Sequence, residues 1–152
     1  MTDALYTASA TATGGRTGHA VTSDGALEVD LVVPSELGGD GGPGTNPEQL
    51  FAAGYSACFL SALSLMAGKR GIDTSAATVT ADVSLRSEGR GFGLAVDLRV
   101  RMPGVERELA EKLVAKAHQV CPYSNATRGN IEVTLTIEEP AAPSAEGALA
   151  AR

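Results

Sequence analysis

From Gln49 to Gly68 the chain reads QLFAAGYSACFLSALSLMAG without a charged residue. Its start is well marked. Asn46 is a good N-cap, Pro47 fits the first helical position, where a missing N–H costs nothing, and Glu48 complements the positive end of the helix dipole. A helix is therefore predicted from there to about Lys69, stopped by Gly71. A helix of that length that is apolar all round must be covered on every side. In a chain of 152 residues one sheet cannot do this, so a homodimer with shared burial is expected.

The flanking sequence reads as strands. Leu5–Thr13, His19–Thr22 and Ala26–Val33 form a predicted antiparallel meander, with Leu27, Val29 and Leu31 alternating against Glu28 and Asp30. Gly14-Gly15-Arg16-Thr17-Gly18 is its first turn. Residues 38–44 hold five glycines and a proline and read as a loop. They lack the Gly-Lys-Ser/Thr ending of a phosphate cradle. Val79, Ala81, Val83 and Leu85 alternate, as do Leu94, Val96, Leu98 and Val100, giving a hairpin around Ser87–Gly91. An amphipathic helix is predicted over Val105–Val120, with Leu109, Leu113, Ala117 and Cys121 on one stripe. The chain leaves that helix at Cys121, and Ile131–Ile137 is a last strand. The order β-β-β-α-β-β-α-β with clustered strands gives the class α+β, with antiparallel sheets around the central helix. Residues 1–139 form one domain in this reading, and the Ala/Pro-rich 140–152 a flexible tail.

Composition narrows the function. A net charge of −6 makes the chain a poor ligand for phosphate backbones, so no nucleic acid is expected. No apolar run approaches the roughly 20 residues that a membrane span needs, so no membrane is expected either. MTDALYTASA has no basic segment before a hydrophobic block, and two cysteines do not make a secreted disulfide framework. The expected setting is the cytoplasm, with both thiols reduced at rest.

The residues that could carry chemistry are few. Cys58 lies within the apolar helix and Cys121 at the end of the second. Both could be small buried hydrophobes. If the two buried stripes pack together, however, the sulfurs meet as a redox pair. A reactive thiol must ionise, and burial opposes this, so Cys58 needs a cation. Arg16, in its glycine turn, is the most suggestive one, and a buried arginine needs a carboxylate, for which Glu48 is the obvious choice. Solvated surface roles remain open for both. His19 and His118 stand at no metal-ligand spacing from a cysteine. Cys-Pro-Tyr-Ser resembles the monothiol glutaredoxin site, but that motif belongs between a strand and a helix N-terminus. Here it follows a helix, with none expected after it.

Taken together, GGRTG at 14–18, GPGTNPEQLFAAGYSACF at 42–59, GFGL at 91–94 and HQVCPYSNATRGN at 118–130 resemble the organic hydroperoxide resistance (Ohr) branch of the OsmC/Ohr family, over about residues 4–139. Thr17 departs from the more usual acidic or amide residue of the turn. The resemblance implies an α+β homodimer with its active sites at the subunit interface, and a thiol peroxidase that needs no metal or haem. It implies Cys58 as the peroxidatic and Cys121 as the resolving cysteine, with Arg16 and Glu48 activating the thiolate. The substrate would be an organic hydroperoxide, with Phe51, Phe59 and Phe92 as apolar neighbours of its R group. The reductant would be a dithiol on a lipoylated protein. A redox-sensing or ligand-binding module without turnover is the competing reading.

Overall fold

The structure is a computed structural model that describes residues 3–139; the expected tail at 140–152 lies outside the described residues. Six strands and three α-helices follow one another: β1 (Ala10–Thr13), β2 (His19–Thr22), β3 (Glu28–Asp30), α1 (Pro47–Gly68), β4 (Thr78–Glu88), β5 (Gly91–Arg101), α2 (Arg107–Val120), α3 (Pro122–Thr127) and β6 (Glu132–Ile137). The class is α+β, with two small sheets ordered β1-β2-β3 and β4-β5-β6. The chain divides into two compact units, one ending at Phe51 and the other beginning at Ala52.

The first unit is the expected meander, in shorter strands. Ala10–Thr13 pairs antiparallel with His19–Thr22, and Val21 lies opposite Glu28 in the next pair. His19 reaches across to both neighbouring carboxylates, Glu28 at 3.2 Å and Asp30 at 2.9 Å. The loop ahead of α1 is stitched to this sheet by Thr45, whose N–H donates to Asp30 O and whose carbonyl accepts from Val32 N. None of this unit's described residues is fully buried, and Leu27 is exposed.

The second unit holds the core. β4 and β5 form the predicted hairpin, in register from Thr78 opposite Arg101 to Glu88 opposite Gly91. β5 is its most buried strand, with Val96, Leu98 and Val100 inward. α2 begins two residues later than predicted, because the Glu106 carboxylate caps it by accepting from Leu109 N. It buries Ala110, Leu113, Val114 and Ala117.

Three expectations need correction. First, β6 runs parallel to β5, not antiparallel, with Val96 opposite Val133 and Val100 opposite Ile137. The chain leaves β5 through two helices and so can re-enter the sheet in the same direction, which is what a helical crossover permits. Second, a helix does follow Cys121. Pro122 disfavours the helical conformation at the preceding residue, and Cys121 is accordingly extended, with ψ 123°. The same proline is well suited to begin α3 as its first residue. Third, α1 is long and apolar enough to cross a membrane by length and composition, with a mean hydropathy of 1.7 in its most apolar window. Its serines lower that average little, and two of them, Ser56 and Ser61, satisfy their hydroxyls on the helix's own carbonyls.

Asn46 caps α1 as predicted, its side-chain oxygen accepting from Gln49 N at 2.9 Å. Only one stripe of α1 is buried: Tyr55, Phe59, Ala62, Leu63 and Ala67. Leu65 stays 59% exposed, so a single chain does not supply the all-round cover that the sequence calls for.

Candidate functional site

The Arg16 turn is built by two glycines. Gly14 has φ +70°, and a Cβ on Gly18 would stand 1.8 Å from the Thr13 carbonyl oxygen. Only glycine lets the ends of this loop touch. Between them Gly15–Thr17 forms a single 3-10 turn, from which Arg16 reaches the first turn of α1. Its guanidinium grips Glu48 with both forks, Nη1 to Oε2 at 2.8 Å and Nη2 to Oε1 at 2.6 Å. Glu48 is the more covered partner, 15% exposed against 38% for Arg16. The Arg16 hydrogen bonds hold its carboxyl below the usual carboxylate range, so the pair is ionised at neutral pH. The predicted arginine–carboxylate partnership is present and bidentate, the strong form of this contact.

The two cysteines, 63 residues apart in sequence, meet in the second unit. Cys121 Sγ lies 3.6 Å from Cys58 Sγ and is placed to donate its S–H to it. Both are free thiols; Cys121 is buried and Cys58 partly exposed. Cys121 occupies a corner: its N–H closes α2 on Ala117 O, and its carbonyl accepts from Asn125 N in α3, both at 2.9 Å. Burial pushes the Cys58 thiol up, and the Tyr123 backbone N–H, donating to its sulfur, pulls the other way. That approach depends on Gly54, one turn before Cys58. A Cβ there would meet the Tyr123 hydroxyl at 2.8 Å and its ring carbons at 3.3 Å.

Beside the pair is a cavity of about 340 Å³ lined by Cys58, Ser61, Ala62, Leu65, Val120 and Pro122. Its walls are mostly aliphatic. Phe51, Phe59 and Phe92, expected as apolar neighbours, are not among them. Phe59 is fully buried in the core and Phe92 is 77% exposed at the end of the hairpin.

Sequence reasoning passed over a polar cluster behind the sulfurs. Tyr55 Oη lies 3.0 Å from Ser124 Oγ and 3.1 Å from Thr127 Oγ1. His118 Nδ1 lies 2.8 Å from Ser124 Oγ, and burial holds the imidazole's pKa below its ordinary value. His118 thus serves as a hydrogen-bonding group. Among the described residues, no three His, Cys, Asp or Glu side chains gather as a metal site. No sequence signal marks the cluster, because the helical spacing of 118, 121, 124 and 127 is interrupted at the extended Cys121 and Tyr55 lies on another helix.

Comparison with known proteins gives a consistent answer. Residues 38–136 match the family described as OsmC-like protein. The organic hydroperoxide resistance protein of Xanthomonas axonopodis pv. citri is 55% identical over 134 residues, 88% of this chain and 94% of that one. The chain belongs to the OsmC/Ohr family. Two solved OsmC/Ohr structures show how far the likeness extends. An organic hydroperoxide resistance protein from Elizabethkingia anophelis, with crystallant-derived thiocyanate bound, superposes with a TM-score of 0.86 at 54% identity, over 91% of this chain and 100% of that one. A putative organic hydroperoxide resistance protein from Vibrio cholerae, with captopril bound in one of its active sites, gives 0.84 at 47% identity, over 89% and 93%.

Proposed function

We propose that this protein is a cysteine-based peroxidase that detoxifies organic hydroperoxides, with Cys58 as the attacking and Cys121 as the resolving thiol. The observation that carries this reading is the 3.6 Å approach of two sulfurs 63 residues apart. The names of the 47–55% identical relatives point to the same substrate class.

The Cys58 thiolate attacks one oxygen of R–O–O–H. The O–O bond breaks, sulfur takes the hydroxyl as a sulfenic acid, and the alkoxide leaves with a proton as the alcohol. Cys121 then displaces that hydroxyl as water and forms the disulfide. An external dithiol reduces the disulfide by two exchange steps and is itself oxidised; a lipoyl group has the required dithiol. Because burial raises the Cys58 pKa, the thiolate needs help, and we assign it to Arg16, ionised and oriented by Glu48. The aliphatic cavity beside Cys58 suits a hydrocarbon R group and gives hydrogen peroxide little to bind. The reducing cytoplasm is the setting in which both thiols stand ready. Exposed Leu65 and Phe92, with a first unit that lacks a buried core, support assembly as a homodimer, which sedimentation can test.

The deciding experiment supplies tert-butyl hydroperoxide and dihydrolipoamide to the wild type, Cys58→Ser and Cys121→Ser. Wild type is expected to turn over and Cys58→Ser to be inactive. Cys121→Ser is expected to complete one turnover and then overoxidise. Full turnover by Cys58→Ser would overturn the assignment. Slow stoichiometric oxidation of wild type, without turnover, would favour a sensor instead.

A further inference from the structure

We propose that Tyr55, Ser124, His118 and Thr127 form a positioning network for Cys121, holding its thiol against Cys58 so that a sulfenic acid closes to the disulfide before a second peroxide reaches it. This rests on the roles assigned to the two cysteines above.

One order of donors satisfies every contact. A carbonyl can only accept, so the Thr127 hydroxyl donates to Ser124 O at 3.2 Å. With that proton spent, its oxygen accepts from Tyr55 Oη, which accepts from Ser124 Oγ, which accepts from His118 in its Nδ1–H form. Each hydroxyl then spends its single proton once.

Its placement gives it a purpose. Tyr55 precedes Cys58 by three residues, and His118 and Ser124 flank Cys121 by three on either side. The network therefore ties α1, α2 and α3 together one turn from both sulfurs. α3 has only six residues, too few to hold a helix by itself, and Cys121 sits at the corner where its orientation is decided. Apolar side chains would fill the same buried volume without directional bonds. Four polar groups there, every one paired, fix a geometry that packing alone leaves loose.

That geometry bears on a competition. In resolution, Cys58–SOH plus Cys121–SH gives the disulfide and water: the S–O bond breaks, the S–S bond forms, and the thiol proton leaves with the hydroxyl. In overoxidation, Cys58–SOH plus a second R–O–O–H gives the sulfinic acid and R–OH. The sulfurs must close from 3.6 Å to about 2.05 Å, a short step only while α3 is held.

The test compares wild type with Tyr55→Phe, Thr127→Val and the hydroxyl-retaining Thr127→Ser, each checked for folding by circular dichroism. Two quantities are read: the equilibrium of the Cys58–Cys121 disulfide against dithiothreitol, and the sulfinic acid formed per disulfide under excess cumene hydroperoxide. Tyr55→Phe and Thr127→Val are expected to shift the equilibrium toward the thiols by about fivefold or more, as for one lost buried hydrogen bond, and to raise the sulfinic share correspondingly. Thr127→Ser is expected to stay close to wild type. Folded Tyr55→Phe and Thr127→Val with a wild-type equilibrium would overturn the proposal, as would a Thr127→Ser as impaired as Thr127→Val. A wild type inert to hydroperoxides would refute the peroxidase reading instead, and the dithiothreitol equilibrium would still decide the network.

Discussion

Oxidation by one equivalent of an organic hydroperoxide is expected to make this protein harder to unfold. Linking Cys58 to Cys121 closes a loop of 63 residues. The chain-entropy relation for such a loop gives about 4 kcal/mol of stabilisation, taken from the unfolded ensemble. Part of this is offset by the strain of drawing the sulfurs together, so a net gain of about 2–4 kcal/mol is expected. For a domain of this size that corresponds to a rise in Tm of roughly 5–15 °C. Guanidinium unfolding should show a higher midpoint and a smaller slope, because the cross-linked chain exposes less surface. The assay is paired melts of reduced and oxidised wild type, with treated Cys121→Ser as the control, all at one protein concentration because assembly also shifts Tm. Oxidised wild type no more stable than reduced would refute the reasoning. So would an equal rise in Cys121→Ser, which would show that the gain does not come from the loop.

Other outcomes follow from particular contacts. Gly54→Ala removes a helix penalty of about 1 kcal/mol but drives a methyl to 2.8 Å from the Tyr123 hydroxyl, the far end of a side chain that is 37% exposed and has to shift. Overall stability is expected to change by less than about 1 kcal/mol, while thiol-alkylation kinetics show Cys58 less readily ionised as the Tyr123 N–H moves off its sulfur. Glu48 has its pKa lowered in the fold, so its pairing with Arg16 stabilises above the unfolded carboxylate value of about 4.3 and is lost as pH falls through the depressed one. Glu48→Gln should flatten that acid limb in a stability–pH series and cost about 1 kcal/mol at neutral pH, since Arg16 is partly in solvent. His19 has its pKa raised, first by Asp30. Its support of β2 and β3 is therefore present below about pH 6.5 and lost as pH rises through the raised value, which hydrogen exchange at the paired Ala20 and Val29 would report.

Several features were legible because they rest on local rules. Asn46-Pro47-Glu48 spelled out the start of α1, alternation marked β4 and β5, and the four-residue stripe ending at Cys121 put that thiol on a buried face. The Arg16–Glu48 pairing was expected from what a buried arginine requires, although in the fold it is Glu48 that is the more covered partner. What escaped depends on context. The direction of β6 is set by the crossover, which leaves no trace within Glu132–Ile137. α3 is too short for periodicity to register, although Cys121-Pro122 repeats the proline-at-the-start grammar of Asn46-Pro47. Tyr55, Ser124, His118 and Thr127 are ordinary residues in sequence and become a network only when three helices converge. The apolar wall beside Cys58 comes from Leu65, Val120 and Pro122, because ring size does not say which aromatic faces a cavity and which fills the core.

The central claim, that Cys58 and Cys121 are one reactive pair, is tested most directly by peptide mapping after a single equivalent of cumene hydroperoxide, with free thiols alkylated at once. The account predicts one intrachain cross-linked species joining the peptide of Cys58 to that of Cys121, with cumyl alcohol formed in equal amount. Recovery of both cysteines alkylated, or of Cys58 oxidised while Cys121 remains free in the wild type, would contradict it.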